Sequence, residues 1–135
     1  MIEFNKILWK TLATGIISPE GPAVDRQGNI FLVSRWSGRV VKVSTSGEVS
    51  ELVQTGGKPQ AVAFHSSGDL LLADARNLAL QRVSLVGSIS TVANTVGGKP
   101  FLGPNDLVIA ELGIVYLTDP GLDFNGLGRI LRIDT

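Results

Sequence analysis

The chain contains no cysteine. That excludes disulfides, thiolate metal sites and a cysteine nucleophile. It has a single histidine, His65, so a site built on several imidazoles is excluded too. Aromatic residues are scarce, at 6% of 135 residues, and neither sign of charge is in excess: 12 Lys plus Arg stand against 12 Asp plus Glu. Nucleic acid demands a cationic surface that releases counterions, so it is set aside as a partner. No apolar run approaches the ~18 residues of a membrane span. The N-terminal "MIEFNKILWKTLATG" lacks the unbroken apolar centre of a signal peptide. The expectation is a soluble, cytoplasmic protein with no membrane partner.

What the chain does have is glycine, 16 of them, between short β-branched runs. "NIFLVS", "RVVKVS", "DLLLAD", "LQRVSLV", "GIVYLTD" and "RILRID" have strand length and composition, and no window sustains a 3.6-residue period. The chain reads as all-β, with a hydrophobic fraction of 44% that suffices for one domain with a core. The runs also recur. Gly28, Gly68 and Gly113 lie 40 and 45 residues apart, and aligning them superposes Phe31, Leu71 and Tyr116, then Ser34, Asp74 and Asp119. In the third copy "GRILRID" arrives five residues late, which makes "PGLDFNGLG" a loop insertion.

A period of ~40–45 residues with about four short strands is the mark of β-propeller blades. One blade cannot bury both of its faces, whereas blades stacked around an axis cover one another. Helical solenoids need helices, leucine-rich repeats are shorter, and no Trp-Asp signature is present. Three four-stranded blades are expected, at about residues 19–58, 59–103 and 104–135.

Eight residues before each anchor glycine lies one slot, filled by Glu20, Gln60 and Asn105, each after a proline. The first strand of a blade lines the channel, so these slots converge near the axis. Proline fixes φ and holds the strand's start rigid. Three oxygen-bearing side chains aimed at one centre suit a cation, and hard carboxylate and amide donors favour Ca²⁺, Mg²⁺ or Mn²⁺ over Zn²⁺. The competing reading is that these polar residues cap turns.

"ATGIISPEGPAVDRQGNIFLVS", "GGKPFLGPNDLVI" and "GIVYLTDPG" resemble the gluconolactonase/regucalcin-like (SGL) family of six-bladed propellers, from about Leu12 to the C-terminus. Strictosidine-synthase-like propellers share parts of the pattern. The resemblance implies hydrolysis of a small lactone or ester with one divalent cation in the channel, Ca²⁺ foremost and Mg²⁺, Mn²⁺ or Zn²⁺ as the other candidates. Glu20 matches the family's first metal ligand and Asn105 its first asparagine ligand. Gln60 is a further channel-lining residue. The chain stops before the family's second asparagine and its aspartate, the proposed base. An arginine frequent before the "ND" word is replaced by Gly103 and Pro104. Reduced activity, or a non-catalytic binding or scaffold propeller, is therefore the alternative.

Three blades cannot close a ring. "NKILWKTLAT" reads as a strand, and the third blade ends without its outer strand. Residues 6–13 are expected to supply the outer strand of the ring's last blade, so two copies would close a six-bladed homodimer. The chain as a truncated piece of a longer enzyme is the other reading. Asp74 and Asp119, at the ends of second strands, are expected to bind loop backbone or, less favoured, to support the site. Asp106 should point away from Asn105 and support its loop. Trp36 either walls a substrate pocket or covers the blade. His65 lies in a turn on the opposite face, where solvation is expected.

Overall fold

A computed structural model of the chain describes residues 7–122 and 126–134. It is all-β, with 3-10 turns at Arg35–Ser37 and Glu111–Gly113 and no α-helix among the described residues. The first antiparallel sheet takes β1 (Pro19–Val24), β2 (Ile30–Ser34), β3 (Arg39–Val43) and β4 (Val49–Gln54) in that order. The second takes β5 (Pro59–Phe64), β6 (Leu70–Asp74), β7 (Ala79–Val83) and β8 (Ile89–Ala93). Each strand of the second sheet begins 40 residues after its counterpart in the first. A two-stranded ribbon follows, β9 (Thr95–Val96) and β10 (Lys99–Pro100), then a three-stranded sheet of β11 (Leu107–Ile109), β12 (Val115–Asp119) and β13 (Arg129–Ile133). The ribbon is absent from the sequence reading. Its signal is Gly97–Gly98, whose φ angles of 56° and 74° are those of a two-residue hairpin loop.

The repeat extends to the irregularities. In the first sheet the ladder shifts between Val40–Val53 and Val41–Glu51, leaving Leu52 as a bulge. In the second it shifts between Leu80–Ala93 and Gln81–Thr91, leaving Val92, 40 residues on.

Burial follows position in the stack. β6 is buried at every position, because both faces of its sheet are covered. Leu70 and Leu72 pack with Phe31, Val33 and Val40 of the first sheet. Leu71 and Ala73 pack on the other side with Val115, Leu117 and Leu131 of the third, and with Phe101. Phe31 and Phe64 meet edge to face across the first interface, centroids 5.3 Å apart. β12 instead alternates: Val115, Leu117 and Asp119 are buried, Tyr116 and Thr118 exposed. Its outer face has no neighbour among the described residues, and Val108, opposite Tyr116, and Ile130, opposite Thr118, lie exposed.

The outward face of the first sheet, Leu32, Val41 and Val43, is partly covered by Ala13 and Ile16. Residues 7–18 form no strand. The outer strand expected over residues 6–13 does not form over residues 7–13, and Lys6 lies outside the described residues. Leu12 nevertheless stands where an outer strand would place it. A Cβ on Gly47 would collide with the Leu12 carbonyl, as one on Gly87 would collide with that of Leu52. Asp123–Asn125 of the loop insertion also fall outside the described residues. No described helix is long and apolar enough to cross a membrane.

Candidate functional site

The three slots occupy the starts of the inner strands. Glu20, in β1, is exposed; Gln60, in β5, is buried; Asn105, two residues before β11, is half-buried. Proline precedes each slot, and bulges shape the first two starts. β1 gains an extra residue between the pairs Glu20–Val33 and Ala23–Phe31, and β5 between Pro59–Asp74 and Ala61–Ala73. A bulge turns a side chain out of the regular ladder, and in β5 the residue turned out is Gln60 itself. Gly21 brings the first two starts together. Its φ is +49°, and a Cβ there would overlap Ala61 and lie 2.8 Å from the Gln60 carbonyl oxygen.

Gln60 and Asn105 line one crevice of about 20 Å³ together with Arg35, Lys58 and Gly103. Glu20 stands outside that crevice, next to it through Gly21. The Gln60 amide donates to the Lys58 carbonyl at 3.2 Å, which leaves its oxygen as the free end. The Asn105 backbone N–H donates to the Thr118 carbonyl at 2.9 Å, while its side-chain amide bonds nothing among the described residues. One carboxylate and two amides are the right type of donor for a hard cation. Ca²⁺ takes about six to eight oxygens, so water, a ligand or further chain would have to complete the shell. Among the described residues no three His, Asp or Glu side chains form a metal cluster.

Asp74 and Asp119 are fully buried, and their oxygens are committed to loops. Asp74 accepts from the backbone N–H of Lys58 (2.9 Å), Arg76 (3.1 Å) and Asn77 (3.0 Å). Asp119 accepts from Leu102 (2.9 Å) and Gly103 (2.7 Å) and pairs with the Arg129 guanidinium at 2.8 Å. Ser34, their counterpart in the first sheet, donates to the Ile17 carbonyl at 2.7 Å. In all three sheets, then, the last side chain of the second strand ties down the segment leading into the first. Asp106 is exposed, its carboxylate accepting from the Leu107 N–H at 2.9 Å.

His65 lies on the opposite face, in an open groove of about 640 Å³ lined by Asp25, Arg26, Phe64, Ser66 and Leu85 among others. Its Nδ1 is 2.9 Å from the Ser67 hydroxyl, within one turn. In the same groove Asp25 accepts from the Asn29 amide, and that bond holds its carboxyl below the usual range. This larger cavity is remote from the slots.

Two residues of the channel face, Arg35 and Lys58, were not foreseen. The expected Trp36 sits on the 3-10 turn, 66% exposed. The Arg35 guanidinium lies 5.1 Å and the Lys58 ammonium 4.4 Å from its ring centre. The signal was present in "SRWSGR" and in the lysine before Pro59, but their meeting needs the fold.

Face-to-face antiparallel sheets repeating every 40 residues, with inner strands converging at one end, define the class: this is a β-propeller fold. No family model matches the sequence. The chain is similar to strictosidine synthase-like protein 6 of Arabidopsis thaliana, 26% identical over 113 residues that cover 80% of this chain and 30% of that protein. It superposes on a gluconolactonase from Xanthomonas campestris with a TM-score of 0.76 at 22% identity, covering 85% of this chain and 43% of that one. A structural-genomics target proposed to be a gluconolactonase gives a TM-score of 0.78 at 20% identity, covering 91% and 47%. At these identities the likeness to the solved structures is one of fold. The chain spans less than half the length of each.

Proposed function

We propose that the chain forms one half of a six-bladed propeller whose channel mouth binds a divalent cation, Ca²⁺ foremost, and turns over a small lactone or ester weakly. The meeting of Gln60 and Asn105 in one crevice, with Glu20 on the adjoining strand start, carries this reading. Glu20 and Asn105 would hold the cation, and Gln60 would present its free oxygen beside them. A bound cation supplies carbonyl polarisation and a water of lowered pKa. The chain's own contribution is to set the donors on bulged, proline-held strand starts.

Asp74 and Asp119 are poor bases here, since each is buried and already accepts several hydrogen bonds. That same observation favours a second reading, a binding propeller without catalysis.

Two measurements decide. Ca²⁺ should raise the melting temperature, because a ligand that binds only the folded state stabilises it. Glu20→Gln or Asn105→Ala should remove that response and leave the fold intact. Hydrolysis of a simple lactone in a pH-stat should fall when chelator is added. A calcium response unchanged in both variants would overturn the ligand assignment. Calcium binding without hydrolysis would select the binding reading.

A further inference from the structure

The crevice beside Gln60 and Asn105 carries more positive charge than a cation site needs. Arg35 and Lys58 both line it, and neither forms an ion pair among the described residues. Arg39, Arg82, Arg129 and Arg132 each meet a carboxylate, whereas Arg35, like Arg26 and Arg76, meets none among the described residues. The Arg35 Nε is buried without a hydrogen-bond partner, a costly state for a charged donor. Trp36 holds both cations in place, since each lies over its ring. The crevice that both line, about 20 Å³, admits one oxygen-sized group.

We propose that Arg35 and Lys58 form an oxyanion subsite at the channel mouth, which takes the carboxylate or phosphate of a small organic acid. A guanidinium offers a planar, charge-assisted fork to such a group. One ligand oxygen in the crevice would offset the two positive charges that line it. The exposed Trp36 ring leaves an apolar surface next to it for the ligand's carbon skeleton. The Gln60 and Asn105 side chains supply polar groups on the other wall. The ligand of the channel mouth is thus anionic, a point that deepens the reading above and rests on it only for the ligand's further fate.

The test is a calorimetric titration of the full chain, in metal-stripped buffer at constant ionic strength, with gluconate, inorganic phosphate and neutral glucose. Gluconate or phosphate should bind and glucose should not. The stronger of the two anions identifies the ligand's headgroup. Arg35→Gln and Lys58→Gln should each weaken anion binding about tenfold or more, the worth of one charge-assisted hydrogen bond. Arg26→Gln, on the opposite face, should change nothing. Binding of gluconate no tighter than glucose, or anion binding equal in all the variants, overturns the subsite. Because no divalent cation is present, failure of the calcium assignment would leave this result untouched.

Discussion

At the residue scale one device recurs with different chemistry. Ser34, Asp74 and Asp119 end equivalent strands and all three tie down the segment before a channel strand. The aspartates do more, because a carboxylate accepts several N–H groups at once. Asp119→Ala would leave two backbone donors and the Arg129 guanidinium unpaired at a buried site. It should cost about 3–5 kcal/mol in denaturant unfolding. Asp106→Ala removes one exposed local bond and should stay within about 0.5 kcal/mol. Equal costs for the two would show that burial does not set the importance of these carboxylates. The same comparison explains why the sequence left Asp74 and Asp119 open between two roles. Their spacing shows equivalence, whereas their commitment to loop backbone depends on where the preceding segment passes.

At the element scale the bulges matter most. A regular β5 would keep Gln60 in the ladder with its side chain alternating like its neighbours. The extra residue releases it to the crevice. In β1 the accommodation is Gly21, where a left-handed φ and contact with Ala61 both forbid a side chain. Gly21→Ala should therefore destabilise by more than about 3 kcal/mol, because strain and overlap add. Gly56→Ala meets open space and carries only a positive φ of 69°, so its cost should be near 1 kcal/mol. A thermal melt of Gly21→Ala matching that of Gly56→Ala would show that the sheets yield there. Strand identity was legible from composition. The bulges were not, since their signals, "PEGP" and "KPQA", differ from each other and bulge only where two ladders must stay in register.

At the scale of the whole molecule, the chain has two unequal ends. The third sheet exposes Val108, Tyr116 and Ile130 and ends in the edge strand β13. At the other end, Ile7, Leu8 and Trp9 project from a segment held in the place of an outer strand but unpaired. An open apolar face and an open edge call for a partner. We propose that a second copy covers both, its outer-strand segment pairing with β13. We expect a dimer by light scattering at micromolar concentration, with an interface above about 2,000 Å² of the obligate kind. Deleting residues 1–13 should give a monomer or an insoluble protein, since β13 would lose its strand. A deletion variant with the parent's mass and stability would overturn this assembly. In such a ring two Glu20 carboxylates share the channel, where like charges are eased by a cation between them. Added Ca²⁺ should then also tighten the dimer.

The sequence by itself determined the strands of the three blade sheets, though not the β9–β10 ribbon or the state of residues 7–13, together with the repeat of about forty residues and the equivalence of the slots, because these depend on local composition and spacing. The structure shows which strand is central: "LLLAD" is buried throughout because both faces of its sheet are covered, whereas "VYLTD" alternates because one face is bare among the described residues. Only the tertiary structure decided which slots meet. Gln60 and Asn105 share a crevice, Glu20 stands outside it, and Arg35 and Lys58 arrive from two separate loops to complete its wall, each lying over the Trp36 ring. The reason is physical. Spacing along the chain assigns a residue to a strand and a face, but the distance between faces is set by bulges, by a glycine with no side chain and by how closely two sheets can pack.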